Sequence, residues 1–484
     1  MNSNVASPSE KTLYEYLKEY AKDEPEKPLF IEDEDSFSVG KVLDMVNERA
    51  AWLSSIGVHA GMVVTVRMER NAESVCFLMA LMALGAVAYT VDPHVNVLDF
   101  FCVANRDGSE KYLTGENGKW TVVSHNGLDS VFEPVSCDFE VYKDAKAPAV
   151  MIATSGSEGG SKLVLHSQYS LINNLTDAWY FGDYSLTDVA LGMLPLSHIF
   201  GLVLVVGAVA LRYAVAFPKK LETDDVLDFI EKKRVTRINS VPSYYLNLAS
   251  RAIWHDVSSL RVGFIGGAPC TVSEFCRIEE GLGMKLIPVY GMSECPGITI
   301  ADADDPADVR AAGVGRKYNY STVIITDEDG NEVAFGTEGE VRVKAASLMI
   351  GYVNGGEVTP VPEFFGTGDL GYMDADGVLH ITGRIKEIII RNGNNISLRK
   401  IEEAVLSVKG VREAAAVGEK DEECGEVPVV FVSGEAGNEN ILKEISKTLK
   451  KNELPVRIIT LASIPKTNSG KHDKQKLISS LNIL

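Results

Sequence analysis

Apolar positions along this chain follow two periods. Over 9–22 they recur at helical spacing, with Leu13, Leu17 and Tyr20 on one face, and Pro25 and Pro28 close the segment. A second helical pattern runs over 39–54, with Val42, Met45, Val46 and Trp52 available to a core. Residues 63–66 and 88–91 read as buried strands, and 72–84 as a helix stopped by Gly85. Helical patterns at 170–181 and 224–233 then alternate with strand runs at 149–153, 189–194, 238–241, 262–265 and 286–289. Such alternation predicts an α/β architecture. From about 310 the period shortens to two, with Asp-Gly turns, at 323–325, 339–343 and 378–381. That texture predicts a small β-rich subdomain. Residues 384–484 read as a separate small α/β domain. Ser397 caps a helix through Val408, a strand covers 427–432, and a lysine-rich helix covers 438–451. The expected organisation is α/β: a large N-terminal domain of α/β sheets with a small β-rich subdomain over 1–383, then a small α/β C-terminal domain over 384–484.

Composition leaves that picture in place and narrows the partners. The chain has 484 residues, with 45% hydrophobic and 24% charged, which is ordinary for a globular protein. Lys and Arg number 47 against 67 Asp and Glu, a net charge of −20. A chain so acidic repels nucleic acid and anionic membranes, and an anionic substrate needs a local basic site. The seven cysteines are irregularly spaced and form no CxxC pair, which fits buried free thiols in a reducing, cytoplasmic compartment. The N-terminus has no apolar signal core. The uncharged run 199–211 is too short to span a bilayer and reads as a buried core element.

Candidate chemistry collects where strands end. Thr154-Ser155-Gly156-Ser157-Glu158-Gly159-Gly160-Ser161-Lys162 lies between two apolar strands. Its glycines allow close backbone approach, its N–H groups and hydroxyls can grip phosphate, and Lys162 adds a cation. A solvated hairpin turn is the plain alternative. A Walker loop fails here, because Ser161 replaces its glycine and Leu163 its metal-binding hydroxyl. Gly266-Gly267-Ala268-Pro269 and Tyr290-Gly291-Met292-Ser293-Glu294 also follow apolar strands. In the second, an aromatic can stack on a purine, a hydroxyl can bond phosphate, and a carboxylate can hold Mg2+. Thr367-Gly368-Asp369, with Arg384 fifteen residues on, suits ribose hydroxyls, or is an ordinary turn aspartate. The chain holds no Gly-x-Ser-x-Gly elbow and no metal-spaced Cys/His cluster.

Taken in order, these stretches resemble the motifs of the adenylate-forming superfamily, most closely its acyl-CoA synthetases, from about residue 10 to the end. Gly383-Arg384-Ile385-Lys386-Glu387 resembles the family's hinge, the stretch from Arg391 to Ser397 the loop after it, and the stretch from Pro465 to Lys471 its lysine motif. The resemblance implies ATP-dependent activation of a carboxylic acid to an acyl-adenylate, then thioester formation with CoA, with Mg2+ as the metal. It makes the small domain mobile. It implies that Thr154, Ser155, Gly156, Ser157, Gly159 and Lys162 hold phosphate, and that Gly267, Ala268, Pro269, Tyr290 and Gly291 surround adenine. Ser293 contacts phosphate, Glu294 holds the metal, and Asp369 and Arg384 hold the ribose. Lys471 bridges carboxylate and ATP, with Glu294 and His198 as further catalytic residues. Lys386 is the hinge, and Gly393 and Asn395 border the CoA channel. His198, Phe200, Ser240, Gly266 and Val289 form the acyl pocket.

Departures from the family pattern matter. Glu158 stands where threonine is usual, and Gly160-Ser161 replaces a proline-containing pair. Ser293 replaces threonine and Lys474 replaces arginine. No acid lies within 196–201, which disfavours an amino-acid substrate and favours a fatty or aryl carboxylate. Two alternatives stay open: transfer to the phosphopantetheine of an acyl carrier protein, and a catalytically weak nucleotide-binding relative.

Overall fold

The computed structural model describes residues 8–94, 111–116, 119–124, 127–135, 138–154, 162–421, 423–466 and 472–481. The chain divides into two compact units. The first runs to Ala311 and adds Gly315–Thr322 and Lys344–Phe365; the second comprises Ala312–Val314, Val323–Val343 and Gly366 onward. The expected boundary at 383/384 lies inside the second unit.

Two nine-stranded sheets build the first unit. In one, Pro28–Ile31, Ala214–Ala216, Val189–Leu191, Arg237–Ser240, Val262–Ile265 and Lys285–Met292 lie side by side and parallel. The chain leaves Val189–Leu191 for the strand on one side and then crosses to Arg237–Ser240 on the other. At such a reversal, outside the carboxyl ends of the strands, open α/β sheets bind ligands. In the other sheet, Val63–Arg67, Val87–Val91 and Pro148–Thr154 are parallel neighbours. Pro148–Thr154 turns back onto Lys162–Ser167, and Gly351–Asn354 pairs antiparallel with the latter.

The helices Leu13–Asp23, Val39–Ser55, Ala72–Ala83 and Ile199–Ala210 share one core with apolar residues of both sheets, including Phe30, Val215, Val64 and Val150. Burial of this kind contributes roughly 25 cal/mol per Å² of apolar surface and dominates the favourable side of folding. The first helix starts on a reciprocal cap between Thr12 and Glu15 and buries Leu13, Leu17 and Tyr20, as its periodicity requires. The apolar run at 199–211 is indeed a core helix, Ile199–Ala210. Among the described residues no helix is long and apolar enough to cross a membrane.

Several elements depart from expectation. The helix expected over 170–181 is two helices, Gln168–Asn173 and Thr176–Phe181. Asn173 sits at the break, and its side-chain amide donates to the carbonyls of Tyr169 and Ser9, competing with the helix ladder. The strand expected over 189–194 ends at Leu191, where Gly192 and then Pro195 follow. The helix expected over 438–451 stops at Ile445, and the Ser446 hydroxyl bonds the Lys443 carbonyl there. Among the described residues the helices Pro242–Arg251, Val272–Leu282, Ala307–Ala312 and Lys474–Leu481 were not anticipated. The first two carried a local signal: proline in the first turn, and a Thr271/Glu274 capping box. Cys76 and Cys295 are buried free thiols, whereas Cys276 is exposed on the outer side of its helix.

The second unit has its own cores. A four-stranded sheet, lying chiefly in this unit, orders Ser321–Thr326, Gly339–Ala345, Phe365–Met373 and Leu379–Arg384. A five-stranded sheet follows, centred on the long hairpin Val411–Asp421/Gly425–Gly434. The helix Leu398–Leu406 packs on it, and the Ser397 side chain accepts from Lys400 N as its cap.

Candidate active site

The carboxyl edge of the first sheet gathers two of the predicted stretches, Gly266–Pro269 and Tyr290–Glu294. Ser240 is in register with Ile265, and Ile265 with Pro288. Ser240, Gly266 and Val289 therefore lie where the parallel pairing of three adjacent strands stops, although the third strand runs on to Met292. A Cβ on Gly266 would lie 2.6 Å from the Val289 carbonyl oxygen, so only glycine fits this close approach. Gly267 follows at φ +76° and is exposed with Pro269, while Ala268 is half-buried. The Ser240 hydroxyl is buried without a hydrogen-bond partner. Phe200 and Val289 pack, half-buried, against a shared cluster that includes Phe264, Ile287 and Ile300. His198 caps the helix Ile199–Ala210: its Nδ1 accepts from Phe200 N at 3.3 Å, which puts the neutral ring's proton on Nε2. It comes after the strand Val189–Leu191, which pairs with Arg237–Ser240.

The Tyr290–Glu294 motif is not a loop after a strand. The strand Lys285–Met292 runs through it and turns back on Cys295–Ile300, with Met292 opposite Cys295. Ser293 and Glu294 form the turn. The register shifts between Tyr290 and Met292, and a Cβ on Gly291 would overlap the Pro296 carbonyl, so glycine is required at this bulge. Neighbouring strands fix the turn. His166 is buried on Lys162–Ser167, and its Nε2 donates to the Ser293 carbonyl at 2.7 Å while Nδ1 lies 3.0 Å from Ser170 Oγ. Burial, partly opposed by that carbonyl bond, pushes its pKa down to about 4, so the ring is neutral. Met349 N donates to the Glu294 carbonyl at 2.8 Å. The Tyr352 hydroxyl donates to Glu294 Oε1 at 2.7 Å, and burial, followed by this bond, holds that phenol above its ordinary range. The Glu294 side chain is 9% exposed.

At the phosphate loop, Thr154 and Lys162 are paired ends of the hairpin strands, and Thr154 Oγ1 donates to the Lys162 carbonyl at 3.3 Å. Lys162 Nζ lies 5.1 Å from the centre of the Tyr352 ring, a cation–π contact. Ser155, Gly156, Ser157 and Gly159, with Glu158, lie outside the described residues, as does Lys471.

In the second unit Asp369 and Arg384 face each other across paired strands, with Arg384 Nε 2.7 Å from Asp369 Oδ1. Asp369 is buried, and the guanidinium is exposed. Thr367, on the same strand rather than in a turn, braces this stretch: its hydroxyl donates to the Val341 carbonyl and accepts from Asp369 N. Lys386 is exposed in the short helical turn Ile385–Glu387. Its neighbour Glu387 pairs with Lys474 at 2.9 Å, and Lys474 also reaches Glu402 at 3.0 Å. Gly393 and Asn392, both at positive φ, make the two-residue turn between Ile388–Arg391 and Asn394–Ser397, with Asn395 exposed beside it. Sequence reading missed His166, Met349 and Tyr352. Each sits in or beside a strand, and its partner lies more than fifty residues away. The only hint was a polar ring inside an apolar strand.

The sequence matches the AMP-binding enzyme family over 17–353 and the AMP-binding enzyme C-terminal domain over 400–471. The chain belongs to that family, and it is an acid–thiol ligase of the adenylate-forming kind. It is 25% identical over 478 residues to the 2-succinylbenzoate–CoA ligase of Enterococcus faecalis, covering 96% of this chain and 98% of that protein. It is 26% identical over 459 residues to a long-chain-fatty-acid–CoA ligase of Mycobacterium tuberculosis, covering 88% and 90%. Its fold matches o-succinylbenzoate CoA synthetase from Bacillus subtilis, solved with an acyl-adenylate intermediate, at a TM-score of 0.82, 22% identity and 96% and 97% coverage.

Proposed function

We propose that this chain activates a fatty or aryl carboxylic acid with ATP and passes the acyl group to CoA. An oxygen of the acid attacks the α-phosphorus, the bond to pyrophosphate breaks, and acyl-AMP forms. The CoA thiol sulfur then attacks the acyl carbon, AMP leaves, and the thiol proton is lost to solvent. The observation that carries this reading is the edge where the parallel pairing of three adjacent strands stops at Ser240, Gly266 and Val289, beside a switch point. Half-buried Phe200 and Val289 pack near it, Ser240 adds an orphan hydroxyl, and the Ser293–Glu294 turn follows the same strand as Val289. His198, Phe200, Ser240, Gly266 and Val289 line the acyl site. Tyr290 stacks on adenine beside Gly267, Ala268 and Pro269, while Ser293, Thr154, Lys162 and the loop between them bind phosphates. Asp369 accepts from ribose hydroxyls, and Arg384 holds it in place.

A magnesium ion fits the donor chemistry. Mg2+ takes one or two carboxylates with substrate phosphates rather than a full protein cage. Glu294 is one near-buried carboxylate, and among the described residues no cluster of three acidic, histidine or cysteine side chains could hold a metal. The ion would supply charge neutralisation at the phosphates. Lys471 would offset charge developing at the reacting phosphorus. The small domain from 384 onward would swing about Lys386 between the two steps, bringing Gly393 and Asn395 to the CoA channel. A cytoplasmic setting belongs to the same proposal.

ATP–pyrophosphate exchange over a panel of fatty and aryl acids tests the reading. Exchange with at least one acid, followed by thioester formation on adding CoA, is expected. Absence of exchange with every acid overturns it, and thioester on a carrier protein but not on CoA redirects the second step. Lys471→Ala is expected to lower exchange at least a hundredfold while sparing thioester formation from supplied acyl-adenylate. Equal loss of both steps contradicts its role.

A further inference from the structure

Tyr352 joins two parts of the proposed ATP site. It lies on Gly351–Asn354, opposite Val164 on the strand that begins at Lys162. Its ring seats Lys162 Nζ at 5.1 Å, and its hydroxyl donates to Glu294 Oε1 at 2.7 Å. Two residues from Gly351 along the same strand entry, Met349 N fastens the Glu294 main chain. A near-buried carboxylate free to rotate would lose much of its affinity for a cation to reorientation. A donor on one oxygen fixes its rotamer and leaves the other oxygen available.

We propose that Tyr352 is a positioning residue for adenylation, orienting the Glu294 carboxylate for a divalent cation on nucleotide phosphate and fixing Lys162 at the mouth of the phosphate loop. The inference rests on the reading of Glu294 as the metal-holding carboxylate. The hydroxyl acts on the metal and the ring acts on the lysine, so two substitutions separate the functions. Tyr352→Phe keeps the ring and its packing. Tyr352→Leu removes both.

The test uses the full chain with ATP and no acid, following enzyme-bound Mn2+ by electron paramagnetic resonance, alongside Tyr352→Phe, Tyr352→Leu and Glu294→Gln. Loss of a hydrogen bond to a charged group corresponds to about a tenfold change. Tyr352→Phe is expected to weaken Mn2+ binding about tenfold and to shift the Mg2+ dependence of exchange upward, with kcat recovered at saturating Mg2+. Thioester formation from supplied acyl-adenylate stays unchanged. Tyr352→Leu is expected to raise KM for ATP as well. If Tyr352→Phe binds Mn2+ like the parent while Glu294→Gln does not, the positioning role fails and the metal reading stands. If Glu294→Gln also binds Mn2+ like the parent, both fail. A kcat lowered equally at every Mg2+ concentration marks a merely structural tyrosine and overturns the proposal.

Discussion

His166 carries a consequence for acid stability. Its unfolded ring takes a proton below the ordinary 6.5, whereas the folded ring does so only near 4. Stability is therefore complete above 6.5 and falls as pH drops toward 4. Between pH 7 and pH 5 this one group removes about 2 kcal/mol. His166→Gln is expected to flatten that part of the stability–pH curve, measured by urea unfolding at each pH; an unchanged slope contradicts a buried neutral ring. Gly291 is a second residue whose identity the backbone dictates. Gly291→Ala pushes a Cβ into the Pro296 carbonyl and opens the bulge. A stability loss of about 2 kcal/mol is expected, with exchange falling at least tenfold because Ser293 and Glu294 move. Wild-type exchange from this variant contradicts the bulge as the support of the turn.

Elements with strong local signals were legible. The apolar face of Leu13–Asp23 and the Ser397 cap both follow from neighbours within four residues. Asn392-Gly393 carried the local signal of a tight turn, positive φ at both residues, but it was read only as part of a loop. Strand ends were less legible, because a strand stops where its partner stops. The Tyr290–Glu294 motif looks like a loop, yet pairing with Cys295–Ile300 makes most of it strand. Lys474 shows the same dependence on partners. Alone it is a charge in a lysine-rich tail; folded, it ties the turn Ile385–Glu387 to the helix Leu398–Leu406 through Glu387 and Glu402. Its side chain is 26% exposed and that of Glu402 15%. Lys474→Met, which leaves two carboxylates uncompensated, is expected to destabilise by about 2 kcal/mol. Lys474→Arg should retain most of this, as read by thermal unfolding.

The division into two units, each with its own apolar cores, sets how the molecule should melt. Calorimetry is expected to resolve two transitions rather than one. Lys474→Met should lower only the smaller, and a single transition moved as a whole would contradict independent units. At this scale the net charge of −20 makes the local basic groups at the candidate site matter more. What the sequence determined by itself was whatever depends on periodicity and near neighbours: the α/β class, the strongly periodic helices, the Ser397 cap, and the order of motifs that places the chain in its family. Only tertiary structure decided which distant residues meet. It set Asp369 against Arg384 in register, aligned Ser240, Gly266 and Val289 on one edge, and brought His166 and Tyr352 to the Ser293–Glu294 turn. The physical reason is that such contacts arise from strand pairing and sheet order, which join residues without any mark in their local sequence.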